Sequence, residues 1–100
     1  MTQRATEPIA ILGTFVADLT FFAHRLPAMG ESMLGEDFHI GPGGKGSNQA
    51  VAVARLGEEV VLVTKLGRDT FGDMARKLYA DEGVAARHLI ETTQHPTGAA

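Results

Sequence analysis

Apolar runs alternate with glycine-rich breaks along this chain, and their spacing predicts a mixed α/β fold. Residues 9–13 form a continuous apolar run with β-branched members, which is typical of a strand covered on both faces. Residues 60–64 repeat that pattern and give the clearest strand in the chain. Between them, residues 16–24 continue apolar and partly β-branched, and residues 33–41 alternate loosely. We expect these two segments to form shorter strands, the second with one face in water.

Two helices are expected among these strands. The first runs from Lys45 to Leu56, with Gly57 at its carboxyl end. Because its small residues allow close packing and its surface is apolar nearly all round, we expect it to be buried. The second begins after Asp69 or Thr70, either of which can accept hydrogen bonds from free N–H groups, and it runs to about Glu82, where Gly83 ends it. Residues 84–91 are then expected to form a linker into a third core strand. This order of elements predicts a parallel sheet with helices packed on it.

Composition and charge narrow the classes of partner. The 100-residue chain is 44% hydrophobic and 21% charged, which is ordinary for a soluble globular protein. Its formal net charge of -3 argues against nucleic acid and anionic membranes as partners. No apolar run reaches the ~18 to 20 residues that span a bilayer. The absence of cysteine excludes disulfides and thiolate chemistry and suits a reducing cytoplasm, where we expect the protein to reside.

The carboxyl end of the sequence stops where another strand is expected. After Pro96 the chain reads Thr97-Gly98-Ala99-Ala100 and ends. The first predicted helix also needs more apolar cover than 100 residues provide. We therefore expect these residues to be the N-terminal part of a larger protein, and one domain is the most that this length accommodates.

The glycine cluster at residues 41–46 is the first candidate for binding chemistry. It satisfies the G-x-G-x-x-G pattern literally, but a dinucleotide fingerprint should follow the first core strand directly, and this cluster lies far downstream of Gly13. The next core strand also ends in Thr64-Lys65 without the required acidic residue. A phosphate-binding P-loop fails as well, because Gly46 stands where Ser or Thr should follow the lysine.

A cradle for a polyhydroxylated molecule fits these residues better. Adjacent glycines at Gly43 and Gly44 let the backbone approach a small ligand closely, and the N–H groups at the start of the following helix are unpaired. The helix dipole favours electron-rich oxygens at that end. Lys45 adds a cation and Asn48 adds both an acceptor and a donor. Asp18, just past the first strand, would supply a carboxylate that accepts hydroxyl hydrogen bonds.

The segment Gly43-Gly-Lys-Gly-Ser-Asn-Gln-Ala50, followed by residues 51–57, strongly resembles the first signature of the ribokinase-like (PfkB-type) carbohydrate kinases. The resemblance extends over nearly the whole chain, from about Ile9 to Ala100. Further segments that resemble family motifs follow in the family's order: Gly13 with Asp18, Pro27 with Gly30-Glu31-Ser32, Lys65-Leu66-Gly67-Arg68-Asp69 with Phe71-Gly72, and Thr97-Gly98 as the start of a lid strand.

This resemblance implies a ribokinase-like α/β fold, in which a parallel sheet is flanked by helices and carries a small β-sheet lid. Residues 1–100 would be the N-terminal part of one such domain, with lid strands at about 16–24 and 33–41 and an α/β core at 8–15 and 43–95. Family members phosphorylate a sugar hydroxyl with ATP and a divalent metal. We therefore expect ATP and Mg²⁺, together with a monovalent cation such as K⁺ as a further candidate, bound mainly outside this segment. A sugar and a second copy of the protein, paired through the lid, are the expected partners.

The resemblance also implies which residues bind the sugar. The positions matching the family's sugar contacts and their loop are Asp18, Gly43, Gly44, Lys45, Gly46, Ser47 and Asn48. No metal ligand is expected among them. The family's catalytic aspartate belongs to a Gly-Ala-Gly-Asp segment that these 100 residues lack, so we expect no catalytic residue here.

One departure bears on the choice of sugar. Ribokinases usually carry asparagine two positions before the aspartate, and this chain has Val16 there. A site without that polar group should discriminate less against a sugar lacking the matching hydroxyl. Phosphorylation of the hydroxymethyl group of ribose is the first expectation, with a deoxypentose close behind. A nucleoside kinase, a fructose-type sugar kinase and a non-catalytic sugar-binding module are the alternatives.

Overall fold

The computed structural model describes residues 7–100, which form two sheets and two helices. Apolar β-branched runs give the strands, and glycines interrupt them where the chain turns. The elements in chain order are β1 (Ile9–Leu12), β2 (Val16–Phe22), β3 (Asp37–Gly43), α1 (Lys45–Arg55), β4 (Val60–Gly67), α2 (Thr70–Glu82) and β5 (Leu89–Thr92). Within this range neither helix combines the length and the apolar character needed to cross a membrane.

The larger sheet is parallel, as predicted, with the strand order β1-β4-β5. Ile9 lies opposite Val60 in one ladder, and Thr64 lies opposite Leu89 in the other. The central strand β4 continues to Gly67, beyond the predicted end at residue 64, because its last four residues pair with β5. Tight packing of β4 against both helices makes this sheet the centre of the core.

The smaller sheet is an antiparallel pair, in which β2 and β3 are in register from Val16 opposite Gly43 to Phe22 opposite Asp37. The predicted first strand is present but ends two residues earlier, at Phe22. The second strand lies at Asp37–Gly43 rather than 33–41, because the glycines expected to form a turn pair with the start of β2 instead. Proline is tolerated in β3 because this strand pairs along one edge only.

The carboxyl end of the chain, residues 98–100, pairs with the free edge of β2. Ala99 lies beside Ala17 in a parallel bridge. The Ala17 N–H donates to the Gly98 carbonyl at 2.8 Å, and the Ala100 N–H donates to the Ala17 carbonyl at 2.9 Å. Residues 98–100 therefore pair with β2 at the position where the family resemblance implies the start of a lid strand.

The helices begin and end as the sequence predicts. At the start of α2, the Asp69 carboxylate accepts a hydrogen bond from the Gly72 N–H at 2.8 Å, and Gly83 ends the helix in the left-handed conformation. Gly57 follows α1 with a φ of 88°.

Helix α1 is only partly covered within the described residues, as expected for a helix that needs more apolar cover than 100 residues provide. Only Ser47 and Ala50 are buried, while Ala52 is exposed. Its small residues pack one face on β1 and β4, and nothing among residues 7–100 covers the opposite face.

Candidate functional site

A cavity of about 750 Å³ opens where the two sheets meet, beside the first turn of α1. Two separate parts of the chain face it: the end of β1 running into β2, and the end of β3 running into α1. Its lining residues are Leu12, Gly13, Thr14, Val16, Asp18, Pro42, Gly43, Gly44, Lys45, Gly46, Asn48, Gln49 and Ala100. The site therefore lies at the carboxyl end of a core strand, where α/β sheets commonly bind ligands.

A contact between two glycines sets the floor of this cavity. A Cβ atom on Gly13 would lie 2.7 Å from the Gly46 Cα, and one on Gly46 would lie 2.6 Å from the Gly13 Cα. Both separations are shorter than a real Cβ contact allows. The start of α1 can therefore rest directly on the chain that leaves β1 only because both residues lack a side chain.

Gly44 immediately precedes α1 and leaves its amino end without a side chain. It stands at the N-cap position with φ 95°, a conformation that L-residues with side chains rarely adopt, and a Cβ there would collide with the Thr14 carbonyl oxygen. No side chain among the described residues caps this helix. The first N–H groups of α1 thus face the cavity end of the helix without a side-chain acceptor, where the helix dipole favours oxygen-rich ligands.

Asp18 brings a carboxylate to the opposite wall. It lies on β2 directly opposite Gly41, is exposed, and accepts a hydrogen bond from the Thr20 hydroxyl at 3.2 Å. A Cβ on Gly43 would be 3.5 Å from the Asp18 Cβ, so the glycine at the end of β3 leaves space beside the carboxylate. A carboxylate has about four lone-pair sites, and this single partner among residues 7–100 leaves acceptor capacity for a ligand.

The structure brings together six of the seven residues that the sequence assigned to the site. Asp18 lines the same cavity as Lys45 and Asn48, although it comes from a different sheet strand far away in sequence. Gly43, Gly44 and Gly46 line it too. The predicted juxtaposition of a strand-end carboxylate and a glycine-opened helix start is thus present.

Ser47 is the residue that the structure places elsewhere. Its side chain is fully buried, and its Oγ accepts a hydrogen bond from the Tyr79 hydroxyl at 2.7 Å. Burial raises the pKa of Tyr79, and the hydrogen bond to Ser47 offsets part of that rise. Phe15 packs edge-on against the Tyr79 ring, at 6.4 Å between ring centres. Ser47 therefore ties the first turn of α1 to α2 behind the cavity rather than facing into it.

The cavity is also lined by residues that the sequence analysis did not assign to the sugar site. Thr14 and Gln49 are sequence neighbours of predicted residues, so their positions offered a weak signal. Ala100 reaches the cavity only because the end of the chain pairs with β2, a long-range contact without a local signal. Val16, singled out for its lack of polarity, does line the cavity.

Comparisons with known proteins place this architecture in a family. The model of the pfkB family carbohydrate kinases matches residues 6–100. A ribokinase of Haemophilus influenzae is 36% identical over 94 residues, which are 94% of this chain and 31% of that protein. A deoxyribokinase of Salmonella typhi is 45% identical over 65 residues, which are 65% of this chain and 21% of that protein.

Solved structures agree with the sequence comparisons. The Arabidopsis thaliana ribokinase complexed with ribose and ATP superimposes with a TM-score of 0.87 at 30% identity, over 95% of this chain and 31% of that one. This chain thus spans about a third of the length of the ribokinases it matches. The ribokinase-like fold class expected from the sequence is confirmed. The chain belongs to the pfkB family of carbohydrate kinases.

Proposed function

We propose that the protein containing this chain transfers a phosphoryl group from ATP to the hydroxymethyl group of a pentose, and that residues 7–100 supply one half of the sugar site. The observation that carries this proposal is the shared cavity, which is lined both by Asp18 and by the uncapped amino end of α1. The similarity to ribokinases and deoxyribokinases supports the sugar-kinase class.

The chemistry of the lining suits a neutral sugar. The Asp18 carboxylate can accept hydrogen bonds from two sugar hydroxyls, and such charge-assisted bonds are stronger than neutral ones. The α1 N–H groups can donate to sugar oxygens, and Asn48 can do both. Leu12, Val16 and Pro42 supply apolar surface for the C–H face of the ring. The cavity volume of about 750 Å³ leaves room for a monosaccharide and a second group beside it.

The lining does not favour the two rival substrates. A nucleoside base would stack on aromatic side chains, and the described part of the cavity has none. A phosphorylated sugar would need a cluster of cations, whereas Lys45 is the one basic residue in this lining. A neutral pentose or hexose fits these groups better, so a fructose-type sugar is a candidate substrate beside the pentoses.

ATP and its metal would be held by other residues. Among residues 7–100, no three His, Asp or Glu side chains converge to bind a metal ion. The cavity lining offers a single ammonium group, which is little charge for a triphosphate. Mg²⁺, K⁺ and the cytoplasmic location stay predictions from the sequence.

The test of this function is a coupled kinase assay on the intact protein with ribose, 2-deoxyribose and fructose. D18N keeps the shape of the side chain but replaces an acceptor oxygen by a donor, so kcat/KM for the preferred sugar should fall by about 100-fold or more. D37N is the matched control, because Asp37 lies at the far end of β3, outside the cavity lining. An unchanged KM and kcat in D18N would overturn the proposal. Sugar binding without turnover in any assay would favour the non-catalytic module.

Val16 favours 2-deoxyribose as a second candidate substrate. Its methyl groups line the cavity where ribokinases usually carry an amide, and a valine cannot hydrogen-bond a hydroxyl. The identity to a deoxyribokinase supports the same choice. We expect the ratio of kcat/KM for ribose over 2-deoxyribose to stay below about 100 and to rise about tenfold or more in V16N. A wild-type ratio of several hundred would contradict this role of Val16.

We also propose that a second copy of the protein pairs through the small sheet. Phe21 and Phe38 lie opposite each other, 4.6 Å apart between ring centres, and Ile40, two residues from Phe38 on the same face of the sheet, is exposed beside them. Contiguous apolar surface of this kind commonly marks an interface. Light scattering on the intact protein should give a dimer mass, and F21S should shift it towards the monomer. A monomer mass for the wild type at micromolar concentration would refute this pairing.

A further inference from the structure

The Asp69 carboxylate does more than cap α2. Its Oδ1 accepts hydrogen bonds from the Gly72 N–H at 2.8 Å and from the Thr97 hydroxyl at 2.7 Å. Its Oδ2 accepts a hydrogen bond from the Thr97 N–H at 2.8 Å. One oxygen therefore serves the helix, while both oxygens hold a residue 28 positions later in the chain.

Thr97 is also held by a hydrogen bond from the end of β4. It is 7% exposed, and its hydroxyl oxygen accepts a hydrogen bond from the Gly67 N–H at the end of β4, at 2.9 Å. A Cβ on Gly67 would lie 2.7 Å from the Thr97 nitrogen, so the two backbones touch at this point. The hydroxyl of Thr97 thus joins the end of β4 to the start of α2.

The residues that follow Thr97 reach the cavity. Gly98 and Ala100 exchange backbone hydrogen bonds with Ala17, and the Leu19 N–H donates to the Ala100 carbonyl at 2.7 Å. Ala17 and Leu19 are the residues on either side of Asp18, and Ala100 itself lines the cavity. The register of residues 98–100 along β2 therefore fixes the backbone that carries the Asp18 carboxylate.

We propose that Asp69 is a positioning residue for the sugar site: by anchoring Thr97, it holds residues 98–100 against β2 and so sets the position of Asp18. Asp69 is absent from the cavity lining, so any effect it has on the sugar passes through Thr97 and β2. The hydrogen bonds from Thr97 also lower the pKa of Asp69, so the carboxylate stays ionised and keeps its acceptors near neutral pH. The sugar-affinity part of this inference rests on the proposed function, whereas its structural part does not.

Two substitutions separate the anchor from the helix cap. Asparagine is as good an N-cap as aspartate, but in D69N the amide NH₂ that replaces Oδ2 would face the Thr97 N–H, which is also a donor. T97V removes the hydroxyl and keeps the shape, leaving Asp69 free to cap α2. T97S retains the hydroxyl and should behave as wild type. D73N is the control for charge, because Asp73 lies in the first turn of α2 and bonds only Arg76 among the described side chains.

The experiment measures amide hydrogen exchange and ribose affinity in the intact protein. We expect D69N and T97V to speed exchange at Ala17, Leu19 and Ala100 by about tenfold, as the loss of one or two hydrogen bonds predicts, while Leu62 in β4 keeps its protection. Ribose should bind about tenfold more weakly to both variants by calorimetry, whereas T97S and D73N stay within about twofold of wild type.

Each outcome decides one part of the inference. Unchanged exchange at Ala17 and Leu19 in both variants overturns the anchor. Faster exchange with unchanged ribose affinity overturns the positioning role. If D69N loses protection throughout, including at Leu62, T97V carries the test, because its helix cap is intact. If the wild type binds no ribose, the proposed function fails, and the exchange rates alone still decide whether Asp69 fixes β2.

Discussion

The two sheets of this chain differ in what covers them. In the parallel sheet, Val60, Leu62 and Leu66 of the central strand are almost completely buried between helices and neighbouring strands. In the small antiparallel sheet, Phe21 is 72% exposed, and Phe38 beside it is about half exposed. The first sheet is therefore held by apolar burial, and the second by backbone hydrogen bonds along its edges.

The same difference extends to the cavity, because one side of it belongs to each sheet. The floor, formed by the Gly13–Gly46 contact, belongs to the tightly packed layer, so the amino end of α1 has a fixed position. The wall that carries Asp18 belongs to the small sheet, which buries less apolar surface and is held in place by backbone hydrogen bonds, including those from residues 98–100.

The largest expected difference between the two sheets is in the free energy of unfolding that is lost when one apolar side chain in each sheet is replaced by alanine. Leu62 is fully buried, so L62A should lower the free energy of unfolding by about 2–5 kcal/mol. F21A loses an exposed ring contact and should cost less than about 1.5 kcal/mol. Urea unfolding of both variants measures the difference. Equal losses would show that the small sheet is as tightly packed as the core.

A smaller effect should come from the bond that ties the cavity floor to the core. Y79F removes the hydroxyl that donates to Ser47 and leaves a buried oxygen without its donor, which should cost about 1–3 kcal/mol. Adding S47A to Y79F should recover part of this loss, because both polar groups are then gone. Urea unfolding of the single and double variants forms the cycle. Strictly additive losses would indicate that the two hydroxyls are not coupled.

The smallest effect concerns pH and the anchor of the small sheet. Hydrogen bonds from Thr97 lower the pKa of Asp69 in the folded protein, so its stabilisation is present above the unfolded pKa of about 3.9 and is lost as pH falls through the lower folded value. The difference in unfolding free energy between wild type and D69N should therefore be constant above about pH 5 and shrink below about pH 4. Urea unfolding across this range measures it. A difference independent of pH would contradict an ionised anchor.

The third strand of the parallel sheet was misplaced, because β5 begins inside residues 84–91, which were expected to form a linker, and half of its residues are polar. By contrast, the sequence predicted β1 and β4 well, because each contains a continuous apolar run. It also predicted the caps of α2, since Asp69 and Gly83 have strong local preferences. The second strand of the small sheet was misplaced by a few residues, because Gly41–Gly43 has the composition of a turn and pairs as a strand only through contact with β2.

Six of the seven residues assigned to the site line one cavity, because five of them belong to one contiguous motif and Asp18 lies near a strand end. Ser47 belongs to the same motif, yet its hydroxyl turns to Tyr79, and only the packing of α1 on α2 reveals this. The approach of Ala100 likewise depends on a contact between the two ends of the chain. A motif therefore identified the residues of the loop, while tertiary packing decided which of them line the cavity.

We propose above all that the uncapped start of α1 and the Asp18 carboxylate bind the same sugar molecule. The most direct measurement is a ribose titration of the intact protein followed by amide NMR shifts. We predict that the amides of Lys45 and Gly46 shift together with that of Asp18 along one saturation curve, while the Gly72 amide, which Asp69 already caps, stays in place. Saturable ribose binding that leaves the Lys45, Gly46 and Asp18 amides unmoved would contradict the account.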